Sequence, residues 1–199
     1  MQTLVLASAS PFRRRMLESA GLRVRAVPSS VDERSIEAAL DTTDPFEVAL
    51  ALARAKARDV AARCPGEIVL GADQVLHDGG APIGKPLNPD DHLARLQSLR
   101  GRSHDLVTAW CLVTPAGDER AAVARTRLSM RADLEDAELK AYVDTGEGSG
   151  CAGGYAIEGH GAWLFEHVDG DWNNIIGLPL FDVISALRDL GVRYDGGQG

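Results

Sequence analysis

Apolar and polar positions follow one another in short blocks along this chain, and each block has a period of its own. LVLA at Leu4 to Ala7 is an apolar run that ends at Ser8 and Ser10, which predicts a buried strand. Pro11 to Ala20 reads as a helix stopped by Gly21, and Leu22 to Val27 alternates as a second strand ended by Pro28. The polar, acidic stretch Val31 to Leu40 fits neither template. From Pro45 to Ala62, Val48, Leu52, Ala55 and Val60 keep a helical repeat, with Asp44 as cap and Pro45 at the first position. Glu67 to Gly71 and Gln74 to His77 are apolar runs framing Asp73. The turn Asp78-Gly79-Gly80 after them predicts a hairpin with Asp73 on its first arm.

Further on, Pro89 to Leu99 predicts a short helix, Asp105 to Val113 and Ala121 to Met130 strands, and Leu134 to Val143 another helix. Glycines crowd Gly146 to Gly161, which is either a flexible surface loop or backbone held close to a ligand. Trp163 to Val168 resumes a strand, and Gly177-Leu178-Pro179 opens a last helix that ends at Gly191. No repeat or clean linker divides the chain. The pattern predicts one α/β domain over residues 1–194, with a marginal second lobe and a flexible tail at 195–199.

Composition removes several classes of function. The chain has 199 residues, with 21 Lys plus Arg against 29 Asp plus Glu and a formal charge of -8, so no general attraction for nucleic acid or anionic lipid is expected. Cys64, Cys111 and Cys151 match no zinc pattern and no secreted disulfide framework, which points to a reducing, cytoplasmic setting. No basic leader precedes a long apolar run, and no run reaches the roughly 18 apolar residues of a membrane span. A soluble, unprocessed chain is the expectation. His77, His92, His104, His160 and His167 show no metal-ligand interval. Cys151, beside Ala152-Gly153-Gly154, reads as a small packed residue ahead of a nucleophile.

Chemistry concentrates first at LVLASASPFRRRML. Ser10 can cap the orphan amides of the helix that Pro11 opens, and a strand feeding such a cap makes an anion site. Arg13 and Arg14 in the first turn oppose the macrodipole, so a bound polyanion is one reason for them and pairing with Glu18 is another. Ser8 adds a hydroxyl at the same mouth. Asp73 interrupts IVLGADQVL, where a carboxylate is costly unless paired, hydrogen-bonded or coordinated. It is either structural, or it holds a divalent ion or takes a proton from water. Glu33 is a plain solvated acid or an associate of that site. Lys56, between Arg54 and Arg58, belongs to a solvated face or to an anion site, and Lys85 in Gly84-Lys85-Pro86 could reach an anion. Glu158, presented beside glycines, suits hydrogen bonding to a nucleobase edge.

LASASPFRRRMLESAGL, VDE, LARAKA, GADQV, GKP, CAGGYAIEG and GLPL occur in the order of the motifs of the Maf family, which the chain strongly resembles over nearly its whole length. The resemblance implies a Maf/ITPase-like α/β fold, a central mixed twisted sheet flanked by helices with an active-site cleft between two lobes. It implies hydrolysis of nucleoside triphosphates to the monophosphate and diphosphate with a divalent cation, Mg2+, Mn2+ or Co2+. On the matching positions, Ser8, Arg13 and Arg14 are implied as phosphate binders, beside Ser10 at the same mouth, and Glu33 as a metal or active-site acid. Lys56 and Lys85 are implied to neutralise the phosphate chain, and Asp73 to act as general base and metal ligand.

Three positions bear on the base. Family members directed at dTTP and UTP have Arg, Thr and Gln where this chain has Phe12, Gln74 and Glu158. The branch that prefers 7-methyl-GTP has Trp, Gln and Glu there, and this chain resembles it with Phe for Trp. An aromatic ring stacks on a cationic methylated purine, and a carboxylate pairs with its N1-H and amino group. The expected partner is a nucleoside triphosphate, with a homodimer as the possible assembly. The alternatives are a dTTP/UTP/CTP or modified-pyrimidine pyrophosphatase of the same family, and a non-catalytic nucleotide-binding regulator of cell division.

Overall fold

The computed structural model describes residues 3–79 and 85–196. In chain order the elements are β1 (Leu4–Leu6), α1 (Pro11–Ser19), β2 (Val24–Ala26), α2 (Glu33–Ala39), α3 (Pro45–Arg63), β3 (Ile68–His77) and α4 (Pro89–Leu99). There follow β4 (Ser103–Val113), β5 (Glu119–Met130), α5 (Asp136–Asp144), a 3-10 turn (His160–Leu164), β6 (Phe165–Asp169), α6 (Trp172–Ile176) and α7 (Leu180–Asp189). Among the described residues six strands form one sheet in the order β2-β1-β3-β4-β5-β6. β1 pairs parallel with both β2 and β3, while β5 and β6 are antiparallel, so the expected mixed sheet with helices is borne out. The arm expected to return after Asp78-Gly79-Gly80 begins in residues outside those described, and β3 is one continuous strand beside β1 and β4. No helix among the described residues is long and apolar enough to cross a membrane.

The chain divides into two compact units, one drawn from Met1–Asp73, Thr108–Ala124 and Gly177–Gly199, the other from Gln74–Val107 and Arg125–Ile176. In the first unit β1 is apolar at every position because both of its faces are covered. Leu4, Leu6, Leu70 and Leu112 pack with Leu17 of α1 and Leu187 of α7, while Val5, Ala7 and Val69 pack with Val60 of α3 and Cys64. Side chains alternate along β3, so Val69, Gly71 and Asp73 share a face. Gly71 lets that face meet α3 closely. A Cβ there would lie 2.6 Å from the Ala57 amide nitrogen and 2.8 Å from its Cβ, and would overlap the Ala53 carbonyl. α1 and α3 both have their expected caps, Ser10 and Asp44, with proline following. The undecided stretch after Val31 is α2, capped by Asp32, whose carboxylate accepts from Ser35 N-H and hydroxyl.

In the second unit Leu76, Leu96, Leu128, Leu139, Tyr142 and Phe165 are among the residues of one continuous core. The glycine-rich stretch is held by side chains from several elements. Arg95 donates to the Ala152 carbonyl at 2.9 Å, His92 Nε2 meets the Gly154 carbonyl, and the Ala156 amide donates to the Tyr142 hydroxyl at 2.9 Å. The strand expected from Trp163 begins at Phe165, after the 3-10 turn.

His104 in this unit is 2% exposed, with Nε2 2.6 Å from the Tyr155 hydroxyl and no hydrogen-bond partner for Nδ1. Adding a proton would bury an unpaired N-H. Burial, partly opposed by Asp105 and Asp78 and assisted by Arg102, pushes its pKa from the ordinary 6.5 down to about 4. The unfolded chain therefore binds this proton first as pH falls. Stability contributed by neutral His104 is full above pH 6.5, declines as pH drops from 6.5 to about 4, and is then gone. The loss amounts to about 3 kcal/mol. Urea titrations at pH 7 and pH 4.5 are expected to show a steeper acid loss for the wild type than for His104→Gln, and parallel pH dependences would contradict this assignment.

Candidate active site

The first unit holds eight of the candidate residues and gathers six of them around one cluster. Ser8 lies just past the end of β1, where its hydroxyl accepts from the Ser10 amide at 3.1 Å and from Arg13 Nη1 at 3.4 Å. Ser10 Oγ accepts from the Arg13 amide at 3.4 Å, a long capping bond. The Arg13 side chain ties the helix to its surroundings, with Nε donating to the Gly177 carbonyl at 2.8 Å and Nη1 to the Ala72 carbonyl at 2.9 Å. Burial pulls the Arg13 pKa below its ordinary value, against the opposing charges of Asp73 and Glu33.

Lys56 lies on the buried stripe of α3 with Val48, Leu52 and Val60, each four residues from the next. This is the signal in the sequence that corrects the reading of Lys56 as part of a solvated face with Arg54 and Arg58. Those arginines lie outside and pair with Glu119, whereas Lys56 is buried. Its ammonium reaches Asp73 Oδ1 at 2.6 Å and Glu33 Oε1 at 2.9 Å. Asp73 is likewise buried, and Glu33 at the first position of α2 is half exposed. An ammonium shared by two carboxylates resolves the cost of an acid inside β3.

The donor set suits a hard divalent cation, since two carboxylates offer oxygen ligands and water or phosphate can complete the shell. Glu33 and Asp73 carry two negative charges, and Lys56 with Arg13 two positive ones. The cluster is neutral by itself, so a cation fits best when a polyanion accompanies it. Among the described residues no group of three or more His, Cys, Asp and Glu side chains forms a metal cage.

The other candidates stand outside this cluster. Arg14 is exposed and its Nε pairs with Glu18 at 2.7 Å, the pairing alternative for that side chain. Phe12 is half-buried, with the Arg15 guanidinium 5.0 Å from its ring centre. Gln74, Lys85 and Glu158 belong to the second unit. Lys85 and Glu158 are exposed, and both act electrostatically on Cys151. Burial foremost, then Glu158, pushes the Cys151 thiol up to about 11 against the effect of Lys85, which agrees with a packed and unreactive sulfur. Gln74 Nε2 donates to the Asn174 backbone carbonyl at 2.6 Å. Gly71 and Asn174 were not singled out by motif reasoning. A glycine inside an apolar strand was the available signal for the first, and an asparagine within NNII gave none.

Fold and cluster together define an α/β protein whose serine-capped helix adjoins a buried acid–lysine pair. The family model described as Maf-like protein matches residues 3–190, and the chain belongs to the Maf family. It is 41% identical over 193 residues to a dTTP/UTP pyrophosphatase of Deinococcus radiodurans, covering 97% of this chain and 95% of the relative. It is 40% identical over 191 residues to a 7-methyl-GTP pyrophosphatase of Rhizobium etli, covering 94% and 96%. A solved dITP/XTP pyrophosphatase of Mycobacterium abscessus overlaps 96% of this chain and 97% of its own at 17% identity and a TM-score of 0.45.

Proposed function

We propose that this protein is a divalent-cation-dependent nucleoside triphosphate pyrophosphatase that prefers 7-methyl-GTP and releases the monophosphate and diphosphate. The observation that carries the reaction type is the buried Asp73 carboxylate held at 2.6 Å by Lys56, with Glu33 on the same ammonium. The names of relatives near 40% identity over almost the whole chain support it. The preference for a methylated purine rests on the identities of Phe12, Gln74 and Glu158.

In this reading the Ser8 hydroxyl, the opening of α1 and Arg13 Nη2 hold phosphate oxygens. Three of the five Arg13 N-H groups are already used on Gly177, Ala72 and Ser8, which aims the remaining pair. Lys56 orients Asp73, whose second oxygen takes a proton from the water that attacks the α-phosphorus. Glu33 and Asp73 would hold a divalent cation, which would supply charge neutralisation on the phosphate oxygens.

A panel of 7-methyl-GTP, GTP, m5UTP, dTTP, UTP and CTP with Mg2+ or Mn2+ tests this. Monophosphate and diphosphate in equal amounts are expected, with 7-methyl-GTP first in the ranking. Orthophosphate as first product would exclude attack at the α position. The relative in Deinococcus radiodurans favours a second reading, in which dTTP and UTP lead the panel.

A further inference from the structure

Gln74 is held by an element that cannot hold itself. Its Nε2 donates to the carbonyl of Asn174, within α6, a helix of five residues and too short for independent stability. Thr126 on β5 fastens it. The Thr126 hydroxyl donates to the Asp171 carbonyl at 3.0 Å and accepts from the Asp171 amide at 3.1 Å and from Asn174 Nδ2 at 3.0 Å. One proton and two lone pairs are all a hydroxyl has, and each of the three is engaged here; Thr126 itself has no exposed surface. Asn174, equally buried, also donates from Nδ2 to the Leu106 carbonyl at 3.1 Å.

The turn before α6 is shaped to this hydroxyl. Gly170 has φ 129°, and a Cβ there would come within 2.9 Å of Thr126 Oγ1. Asp171 then caps α6 by accepting from the Asn173 amide at 2.8 Å. The result is a rigid backbone carbonyl aimed at a side-chain amide.

A glutamine amide has two flips that exchange donor and acceptor. The Asn174 carbonyl only accepts, so it selects the flip that turns the NH2 toward it. We infer that Asn174, seated on Thr126, is the positioning residue that fixes the Gln74 amide and through it the base preference of the enzyme. This rests on the reading of Gln74 as a base-discriminating residue. Thr126 and Asn174 act through Gln74 and not on the reacting phosphate.

The experiment measures kcat and KM on the nucleotide panel for the full chain and three variants. Thr126→Val keeps the shape and removes the three hydrogen bonds. It is expected to leave kcat on the best substrate within about twofold and to lower the kcat/KM ratio between best and worst base about tenfold, through KM. Thr126→Ser restores the ratio, and in a Gln74→Thr background Thr126→Val changes it no further. If Gln74→Thr alters the ratio and Thr126→Val does not, the inference is overturned while the role of Gln74 stands. If Gln74→Thr leaves the ratio unchanged, the role of Gln74 itself is lost and the inference with it. Should Thr126→Val not fold, side-chain hydrogen exchange in the wild type decides, with the Gln74 resonances assigned by their loss in Gln74→Thr. Slow exchange of one of the two protons supports the clamp, and exchange of both at the rate of a solvated glutamine overturns it.

Discussion

Asp73→Asn is expected to lower kcat roughly a thousandfold, the range for removing a positioned proton acceptor. Asparagine fills the same volume and its carbonyl can still accept from Lys56 Nζ, now 2.6 Å from Asp73 Oδ1, so the strand and its packing survive. Lys56 also keeps Glu33 at 2.9 Å as a counter-charge. Phosphate contacts from Ser8, Arg13 and the opening of α1 do not pass through this carboxylate. Nucleotide affinity measured without added divalent cation should stay within about threefold, because the lost interaction matters mainly in the transition state. Product assays beside calorimetric titration of the variant with uncleaved nucleotide separate the two quantities. Turnover within tenfold of wild type, or affinity falling in step with turnover, would remove Asp73 from the proton-transfer role.

Gly71→Ala is expected to damage stability and activity together, for one steric reason. The added methyl meets the Ala57 amide nitrogen at 2.6 Å and overlaps the Ala53 carbonyl, and helix backbone cannot rotate aside as a side chain would. α3 must move off β3 by on the order of 1 Å, at a cost of about 3 kcal/mol. For a chain of this length that lowers the melting temperature by roughly 6 to 12 °C. The same displacement draws Lys56 from Asp73, and a misplacement of that size costs about a hundredfold in rate. Gly150→Ala is the control, since a Cβ there meets nothing within 4 Å. A fully stable, fully active Gly71→Ala protein would show that the close approach of α3 to β3 does not set the geometry of the pair.

The long elements were legible from their own residues. Ser10 and Pro11, Asp44 and Pro45, and Pro89 mark helix starts within one turn of chain, and the structure places α1, α3 and α4 there. α2 escaped the pattern because none of its residues is buried, so it has no apolar stripe to read. α6 escaped because five residues are too few to show a period. Its anchor is Thr126, 45 positions away from Asp171.

The candidate site divides along the same line. That Asp73 needs a partner follows from a carboxylate within an apolar run, whatever the fold. That the partner is Lys56, 17 residues earlier, does not follow. Lys56 falls on the buried stripe of α3 by helical period, and Asp73 on the α3 side of β3 by strand alternation, but each period tells only which residues share a face. The sequence by itself determined the order of the longer strands and helices, the caps of α1 and α3, and the kinds of groups available for phosphate chemistry. Only the tertiary structure decided which faces meet. Gly71 sets the separation of α3 and β3, and the burial of one charge selects its counter-charge from across that contact, because desolvation penalises every arrangement that leaves it alone.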